Sequence, residues 1–173
     1  MSLSIQDLDR LDREAFVAAI GHAFERSPWI AEETYGRRPF GSVEALHAAL
    51  CATLRSAPRE RQLELIRAHP DLAGRLARAA DLTAESRQEQ ASAGLDEMSA
   101  AEGEELSRLN RAYRERFGFP FVICARLNDR GAILAALRQR LENGPEAEVG
   151  AALSEIEKIA GLRLRDALAD VEG

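Results

Sequence analysis

The chain has 173 residues, of which 46% are apolar and 30% charged, and its formal net charge is −6 at pH 7. A net negative charge repels phosphate groups, so the composition argues against a nucleic-acid-binding or membrane-surface protein. Cys51 and Cys124 lie far apart, without the spacing of a zinc site or a disulfide framework. No apolar run approaches the roughly 18 residues of a membrane-spanning helix, and no secretory leader is recognisable. We therefore expect residues 1–173 to form a single cytoplasmic domain.

Nearly every segment has apolar residues at helical spacing, which predicts an all-α fold. The first helix is predicted over residues 12–26. An irregular stretch is expected from Trp29 to Gly41, with its aromatic residues packed onto the helices. Two further helices follow: one capped by Ser42 and running to Ser56, and one opened by Pro58 and running to Ala68.

The second half of the chain continues as helices joined by short turns. A capping box of Ser99 and Glu102 begins a longer helix, which runs to Phe117. Asn143-Gly144-Pro145 is a signal that ends one helix and begins the next. About nine helical segments are predicted in all, and they form a compact bundle. They include Pro70–Ala80, Thr83–Ala93, Asp129–Glu142 and Pro145–Ala169.

One segment departs from the helical pattern. Residues 117–125 contain three phenylalanines and two β-branched residues around Gly118 and Pro120, which predicts one extended segment near 119–125. A single strand has no sheet to join in a helical protein, so its buried backbone groups need other partners. A bound polar ligand would supply them. A buried linker satisfied by water and side chains is the alternative, and the residues alone favour it.

The three histidines differ in position. His22 and His47 fall within amphipathic helices and are expected to be packed or partly exposed. His69 precedes Pro70, which disfavours the helical conformation and places His69 at a joint between two helices. The positive end of the second helix would keep the imidazole neutral near pH 7 and able to exchange a proton, although Asp71 acts in the opposite direction. A helix-capping role for His69 is the alternative.

Two further groups of polar side chains are candidates for binding. On a helix, Ser86, Glu89 and Gln90 project from one face, where they could hydrogen-bond a urea-like or hydroxylated ligand. A solvated polar face is the alternative. Arg163 lies between two leucines and could bind a carboxylate through its planar fork of donors, or form a structural ion pair.

Short motifs follow one another along most of the chain. They are Ser27-Pro28-Trp29, Arg38-Pro39-Phe40, the run from Ala68 to Gly74, Leu82-Thr83, Ser86 with Glu89-Gln90, the run from Ala93 to Asp96, Leu109-Asn110, Tyr113, the run from Arg116 to Phe121, and Leu162-Arg163-Leu164. Together they resemble the OHCU decarboxylase family, where OHCU is 2-oxo-4-hydroxy-4-carboxy-5-ureidoimidazoline. Ser92 stands where a second glycine is common in that family, a difference expected to matter little to the chemistry.

The resemblance implies an all-helical carboxy-lyase of urate degradation that converts OHCU to S-allantoin and CO2 without a cofactor, usually as a homodimer. The substrate supplies its own electron sink, so the protein is expected to orient the carboxylate, deliver a proton to one face and exclude water. No metal ligand is implied. The matched catalytic residues are His69 as proton donor, Glu89 and Arg163. The matched substrate-binding residues are Pro70, Ser86, Arg87, Gln88, Glu89, Gln90, Phe121, Val122, Ile123, Cys124 and Ala125, the last five chiefly through their backbone.

Two other functions are alternatives to this one. A non-catalytic helical module would bind a partner protein or a small amide through the same pocket, but the joint presence of His69, Glu89 and Arg163 argues against it. A hydrolase for the preceding intermediate, hydroxyisourate, usually belongs to a β-rich protein resembling transthyretin, which the helical pattern does not fit.

Overall fold

The structure of the chain is a computed structural model that describes residues 3–70, 72, 83–95 and 98–169. These described residues form nine α-helices, short 3-10 turns and one pair of two-residue strands, so the predicted all-α class is confirmed. Apart from Pro70 and Leu72, the helix predicted over Pro70–Ala80 lies outside the described residues. The helices are α1 (Ile5–Leu8), α2 (Arg13–Ile20), α3 (Trp29–Thr34), α4 (Val43–Ser56), α5 (Arg59–Ala68), α6 (Ala84–Ser92), α7 (Ala100–Phe117), α8 (Arg130–Arg140) and α9 (Pro145–Ala167).

Capping side chains explain where several of these helices begin. The hydroxyl of Ser42 accepts a hydrogen bond from the backbone N–H three residues later and starts α4. Ser99 and Glu102 form the predicted capping box of α7, in which each side chain accepts from the backbone N–H of the other residue. Thr83 and Asp129 cap α6 and α8. These four predicted helix starts are confirmed.

The first predicted helix ends earlier than expected. α2 stops at Ile20 and the chain continues as a 3-10 turn over Gly21–Ala23, so the prediction of a helix to residue 26 is wrong. Glycine is a poor helix former. The carbonyl of His22 also accepts a hydrogen bond from the Arg163 side chain (3.2 Å), a tertiary contact that the periodicity could not predict.

The irregular conformation predicted for Trp29–Gly41 is wrong for its first half. Trp29–Thr34 forms α3, which follows Pro28, a residue whose fixed φ suits a helix start. Three residues of α3 are buried at helical spacing, so the segment contributes to the core. The aromatic packing is as expected, since the rings of Tyr35 and Phe16 lie 5.5 Å apart.

The described residues divide into two compact units. The first contains the residues up to Ala68 together with those from Glu157 onward, and the second runs from His69 to Ile156. α9 contributes residues to both. The single domain expected over residues 1–173 stays a prediction.

The first unit contains the two short strands. Leu3–Ser4 pairs in parallel with Leu168–Ala169, and this pairing follows the end of α9 at Ala167, two residues before the predicted end. Helical periodicity does not predict such a contact, because strands of two residues leave no repeating pattern. The core of this unit includes Phe16, Ile20, Ile30, Leu46, Leu50, Leu54, Leu65 and Ile66, each at most 1% exposed.

The second unit surrounds an aromatic cluster. Tyr113 of α7 is fully buried, and its ring centroid lies 4.6 Å from that of Phe117 and 5.4 Å from that of Phe121. α7 ends at Gly118, whose φ of 79° is a left-handed conformation that favours glycine. The chain then runs without regular secondary structure to Cys124. None of the helices in the described ranges combines the length and the apolar character needed to cross a membrane.

Candidate active site

His69 lies directly after α5, outside the helix, and only 7% of its surface is exposed. Its predicted position at a helix end is therefore confirmed. The second helix of the predicted joint falls outside the described residues, so the neutral state of the imidazole stays a prediction. His47 lies in α4 as expected and donates from Nε2 to the carbonyl of Glu157 (2.7 Å), whereas His22 is exposed and lies in the 3-10 turn after α2 rather than in a helix.

The polar row on α6 is partly buried. Ser86 and Gln90 are 6% and 7% exposed and Glu89 is half-buried, whereas Arg87 and Gln88 are exposed. The spacing therefore predicts the shared face correctly, because residues three and four apart are neighbours on a helix surface. A solvated face does not describe Ser86 and Gln90. A hydroxyl, a carboxylate and an amide instead form a polar surface within the second unit.

The segment Phe121–Ala125 is buried throughout, with no residue more than 6% exposed. The carbonyl of Val122 accepts a hydrogen bond from Arg140 Nη1 (2.6 Å), and the carbonyl of Cys124 accepts one from Asn128 Nδ2 (2.9 Å). Side chains therefore satisfy part of this backbone, as the buried-linker alternative predicts.

Ile123 differs from its two neighbours. Neither its N–H nor its C=O makes a hydrogen bond within the described part of the chain. α7 ends at Phe117, as predicted, whereas Ala125, the predicted end of the extended segment, already begins a 3-10 turn, Ala125–Leu127. The stretch outside regular secondary structure therefore runs from Gly118 to Cys124.

The polar row of α6 and the buried segment lie close together. α6 packs against the 3-10 turn Ala125–Leu127. Burial raises the pKa of the Cys124 thiol, and the negative charges of Glu155 and Glu89 raise it further. The charge of Glu89 on α6 therefore acts on the Cys124 thiol. The structure thus brings together the two predicted substrate-binding stretches, Ser86–Gln90 and Phe121–Ala125.

Arg163 belongs to the first unit. Its side chain is 3% exposed; Nη2 lies 2.9 Å from Oε2 of Glu25, which is fully buried, and Nη1 donates to the carbonyl of His22. Arg163 therefore forms a structural ion pair, which was the alternative to its binding a substrate carboxylate. The predicted contact of Arg163 with substrate stays a prediction.

A second buried ion pair is a feature that the sequence did not reveal. Arg140 of α8 pairs with Glu148 of α9 (2.8 Å), and the same carboxylate accepts a hydrogen bond from the hydroxyl of Tyr113 (2.6 Å). Tyr113 belongs to one of the recognised motifs, but its partner Glu148 lies 35 residues further along the chain. No local spacing could have joined them.

Asn110 of α7 is a buried side chain without a recognised role. It is 2% exposed, and neither atom of its amide has a hydrogen-bond partner in the part of the chain that the structure describes. Such groups are rare in native structures because an unpaired buried amide is costly. Within the same ranges, no group of three or more His, Cys, Asp and Glu side chains is arranged to hold a metal ion.

Comparisons with known proteins connect this chain to a family. The family model described as OHCU decarboxylase matches residues 9–165. A 2-oxo-4-hydroxy-4-carboxy-5-ureidoimidazoline decarboxylase of Haloferax volcanii is 44% identical over 164 residues, which are 95% of this chain and 95% of that protein.

Two solved structures, each 28% identical in sequence, have a similar fold. One is a crystal structure of (S)-allantoin synthase, with a TM-score of 0.77 over 96% of this chain and 54% of that chain. The other is a crystal structure of OHCU decarboxylase in the presence of (S)-allantoin, with a TM-score of 0.69 over 92% of this chain and all of that one. The chain belongs to the OHCU decarboxylase family.

Proposed function

We propose that this chain is a carboxy-lyase that converts OHCU to (S)-allantoin and CO2 in urate degradation. The observation that carries the proposal is the family match over residues 9–165, together with a relative of nearly the same length named for this activity. The buried polar row on α6, close to a buried backbone segment, supports it. Small polar substrates are bound where a few polar groups converge in a buried site.

The reaction needs little from the protein beyond positioning and a proton. The carboxylate of OHCU sits on a carbon beside a C=N bond. When the bond to the carboxylate breaks, CO2 leaves and its electron pair forms a C=C bond to the ureido-bearing carbon, while the C=N pair moves to the ring nitrogen, which takes up a proton. A proton is then added to the ureido-bearing carbon, and the hydroxyl on the neighbouring carbon gives up its proton and becomes the carbonyl of allantoin. Addition from one face gives one enantiomer, so the protein must hold the substrate in one orientation.

His69 is assigned the role of proton donor. It is a buried imidazole outside a helix, and it lies in the same unit as the polar row and the buried segment. Glu89 is assigned to orient the substrate, because its carboxylate can accept hydrogen bonds from N–H or O–H groups of OHCU. Arg163 is assigned to an oxygen of the substrate on the strength of the family resemblance alone.

The buried segment is assigned to the ureido group. A ureido group carries N–H donors beside a carbonyl acceptor, and Ile123 offers one backbone acceptor and one donor that have no other partner among the described residues. The carbonyls of Val122 and Cys124 already accept hydrogen bonds from side chains, so we place the ligand at Ile123.

The decay of freshly generated OHCU tests this function. OHCU decays unaided, so the first-order rate, followed by ultraviolet absorbance, is expected to rise in proportion to protein concentration. One CO2 should be released for each OHCU consumed. The same rate with and without protein would reject the proposal. Binding of (S)-allantoin without any acceleration would instead indicate the non-catalytic module.

The assembly and the location of the protein stay predictions. A homodimer is expected from the family resemblance, and light scattering of the purified chain should give a mass of two chains. Cytoplasmic location is likewise an expectation, which imaging of the tagged chain in its own cell would check.

A further inference from the structure

A fully partnered buried carboxylate joins three helices of the second unit. Glu148 of α9 is 0% exposed; its Oε1 accepts hydrogen bonds from the hydroxyl of Tyr113 in α7 (2.6 Å) and from Nε of Arg140 in α8 (2.8 Å). Its Oε2 accepts from Nδ2 of Asn143 (2.9 Å). Burial and the hydrogen bond to Glu148 raise the pKa of Tyr113, so its hydroxyl stays a donor. Arg140 is therefore held in place by a rigid set of partners.

The same guanidinium reaches the buried segment. While Nε contacts Glu148, Nη1 donates to the carbonyl oxygen of Val122 at 2.6 Å. The guanidinium carbon also lies 4.5 Å from the ring centroid of Phe121, and the Tyr113 ring meets Phe121 edge to face at 5.4 Å. Phe121 is thus held by a cation–π contact and an aromatic contact. One side chain fixes both the ring that begins the segment and the carbonyl of the next residue.

The other end of the segment is held by different groups. Asn128 donates to the carbonyl of Cys124, and the N–H of Cys124 lies 3.4 Å from a carboxylate oxygen of Glu155. Ile123 therefore lies between two anchored peptide groups. Of the two anchors, the one at Val122 has the shorter hydrogen bond and rests on the buried ion pair.

We infer that Arg140, braced by Glu148 and Tyr113, is a positioning residue that fixes the Phe121–Val122 backbone and thereby places Ile123 for substrate. The inference rests on the proposed function for the identity of the substrate. Arg140 itself touches backbone and an aromatic ring, so its effect on the reaction is indirect. A lysine cannot replace it, because one ammonium group cannot donate to Glu148 and Val122 in a fixed plane while lying over Phe121.

The first test compares two arginines on the same helix. Arg140→Lys is expected to lower kcat/KM roughly 10- to 100-fold, the size of effect that a displacement of about 1 Å at a binding group produces. The matched control is Arg138→Lys. Arg138 also lies on α8 and pairs with a glutamate, Glu105, but these side chains are 52% and 32% exposed, so that variant should keep wild-type rates.

Backbone hydrogen exchange provides a measurement that does not depend on activity. In peptides covering residues 119–127, Arg140→Lys is expected to exchange faster than the wild type, whereas Arg138→Lys should exchange at the wild-type rate. The inference is overturned if hydrogen exchange in these peptides is unchanged. It is also overturned if the turnover of Arg140→Lys falls only in proportion to the fraction of unfolded protein. If the wild type fails to decarboxylate OHCU, the proposed function fails, yet the exchange result still tests the anchoring.

A combined variant separates positioning from folding if Arg140→Lys does not fold. Tyr113→Phe, Arg140→Met and Glu148→Leu together replace the buried polar cluster by apolar groups of similar size, a change that proteins often tolerate. The variant is expected to fold, to show faster exchange over residues 119–127, and to lose activity by a similar factor. A folded variant with wild-type exchange and turnover would overturn the inference.

Discussion

Each unit of the molecule contains a buried arginine–glutamate pair, and the two pairs differ in what else the arginine holds. Arg163 pairs with Glu25 and donates to the carbonyl of His22, at the turn after α2. Arg140 pairs with Glu148 and donates to the carbonyl of Val122, within the segment assigned to substrate. Both glutamates are fully buried, so removing either partner would leave a costly buried charge.

The difference shows why burial and pairing alone do not identify a catalytic arginine. Arg163 is assigned to the substrate by family resemblance, while its described contacts are those of a structural pair. Arg140 has no such assignment, but its side chain contacts Phe121 and Val122 of the segment assigned to substrate. The roles of the two arginines must therefore be distinguished by how each substitution changes turnover, affinity and backbone hydrogen exchange.

His69→Ala is expected to lower turnover more than any other substitution. The losses of turnover in the two arginine variants are to be compared with it. A proton donor contributes about 10²–10⁴-fold to the rate, so the variant should fold normally but lose turnover by that factor. Far-ultraviolet circular dichroism controls for folding. Wild-type turnover in the folded variant would remove His69 from the mechanism, and the arginine effects would then have to be interpreted without it.

Arg163→Lys is expected to lose most of its turnover, about 10- to 100-fold, despite keeping the positive charge. An ammonium lacks the planar fork that holds an oxygen group in one plane, and misalignment lowers kcat more than it lowers affinity. Steady-state kinetics and titration with (S)-allantoin give the two values. Unchanged turnover would leave Arg163 as the structural partner of Glu25, and Arg140 as the arginine of the two that acts on the site.

Glu89→Gln tests the charge on α6 with almost no change of shape. If the carboxylate acts through its charge, turnover should fall by roughly 10-fold, about 1.4 kcal/mol in activation free energy. Glu85→Gln, in the first turn of the same helix and outside the predicted row, is the control. Full activity of Glu89→Gln would mean that hydrogen bonding alone is sufficient.

Asn110→Leu should stabilise the chain. The buried amide of Asn110 lacks a partner among the described residues, and an unpaired polar group costs about 1–3 kcal/mol. Recovering about 1 kcal/mol would raise Tm by roughly 2–4 °C in a chain of this size. Asn110→Asp, of equal size but charged, should lower Tm instead. A lower Tm in Asn110→Leu would show that the amide has a partner in solution.

Exhaustive dialysis against a chelator is expected to have no effect on activity. The substrate provides its own electron sink, so the proposed reaction needs no metal or organic cofactor. Turnover measured before and after dialysis checks this directly. Loss of activity that an added divalent metal restores would contradict the proposed cofactor-independent chemistry.

Local signals in the sequence account for much of the fold and part of the site. Helix starts follow from single side chains such as Ser42 and Ser99, and the shared face of Ser86 and Gln90 follows from 3.6 residues per turn. These features depend on neighbours within one or two turns, so periodicity and capping patterns reveal them.

Contacts between distant residues explain what the sequence could not predict. Arg163 lies 141 residues from the carbonyl of His22, and Tyr113 lies 35 residues from Glu148. Nothing in the spacing of such residues marks them as partners, because the fold alone brings them together. The hydrogen bond from Arg140 to the carbonyl of Val122 is a contact of this kind.

The most direct test of the central claim is the handedness of the product. OHCU is generated freshly and its conversion followed by circular dichroism, with and without the protein. The account predicts rapid appearance of the signal of (S)-allantoin with the protein present, and no enrichment of either enantiomer without it. A product with the same enantiomer ratio and the same rate in both samples would contradict the claim that this chain is an OHCU decarboxylase.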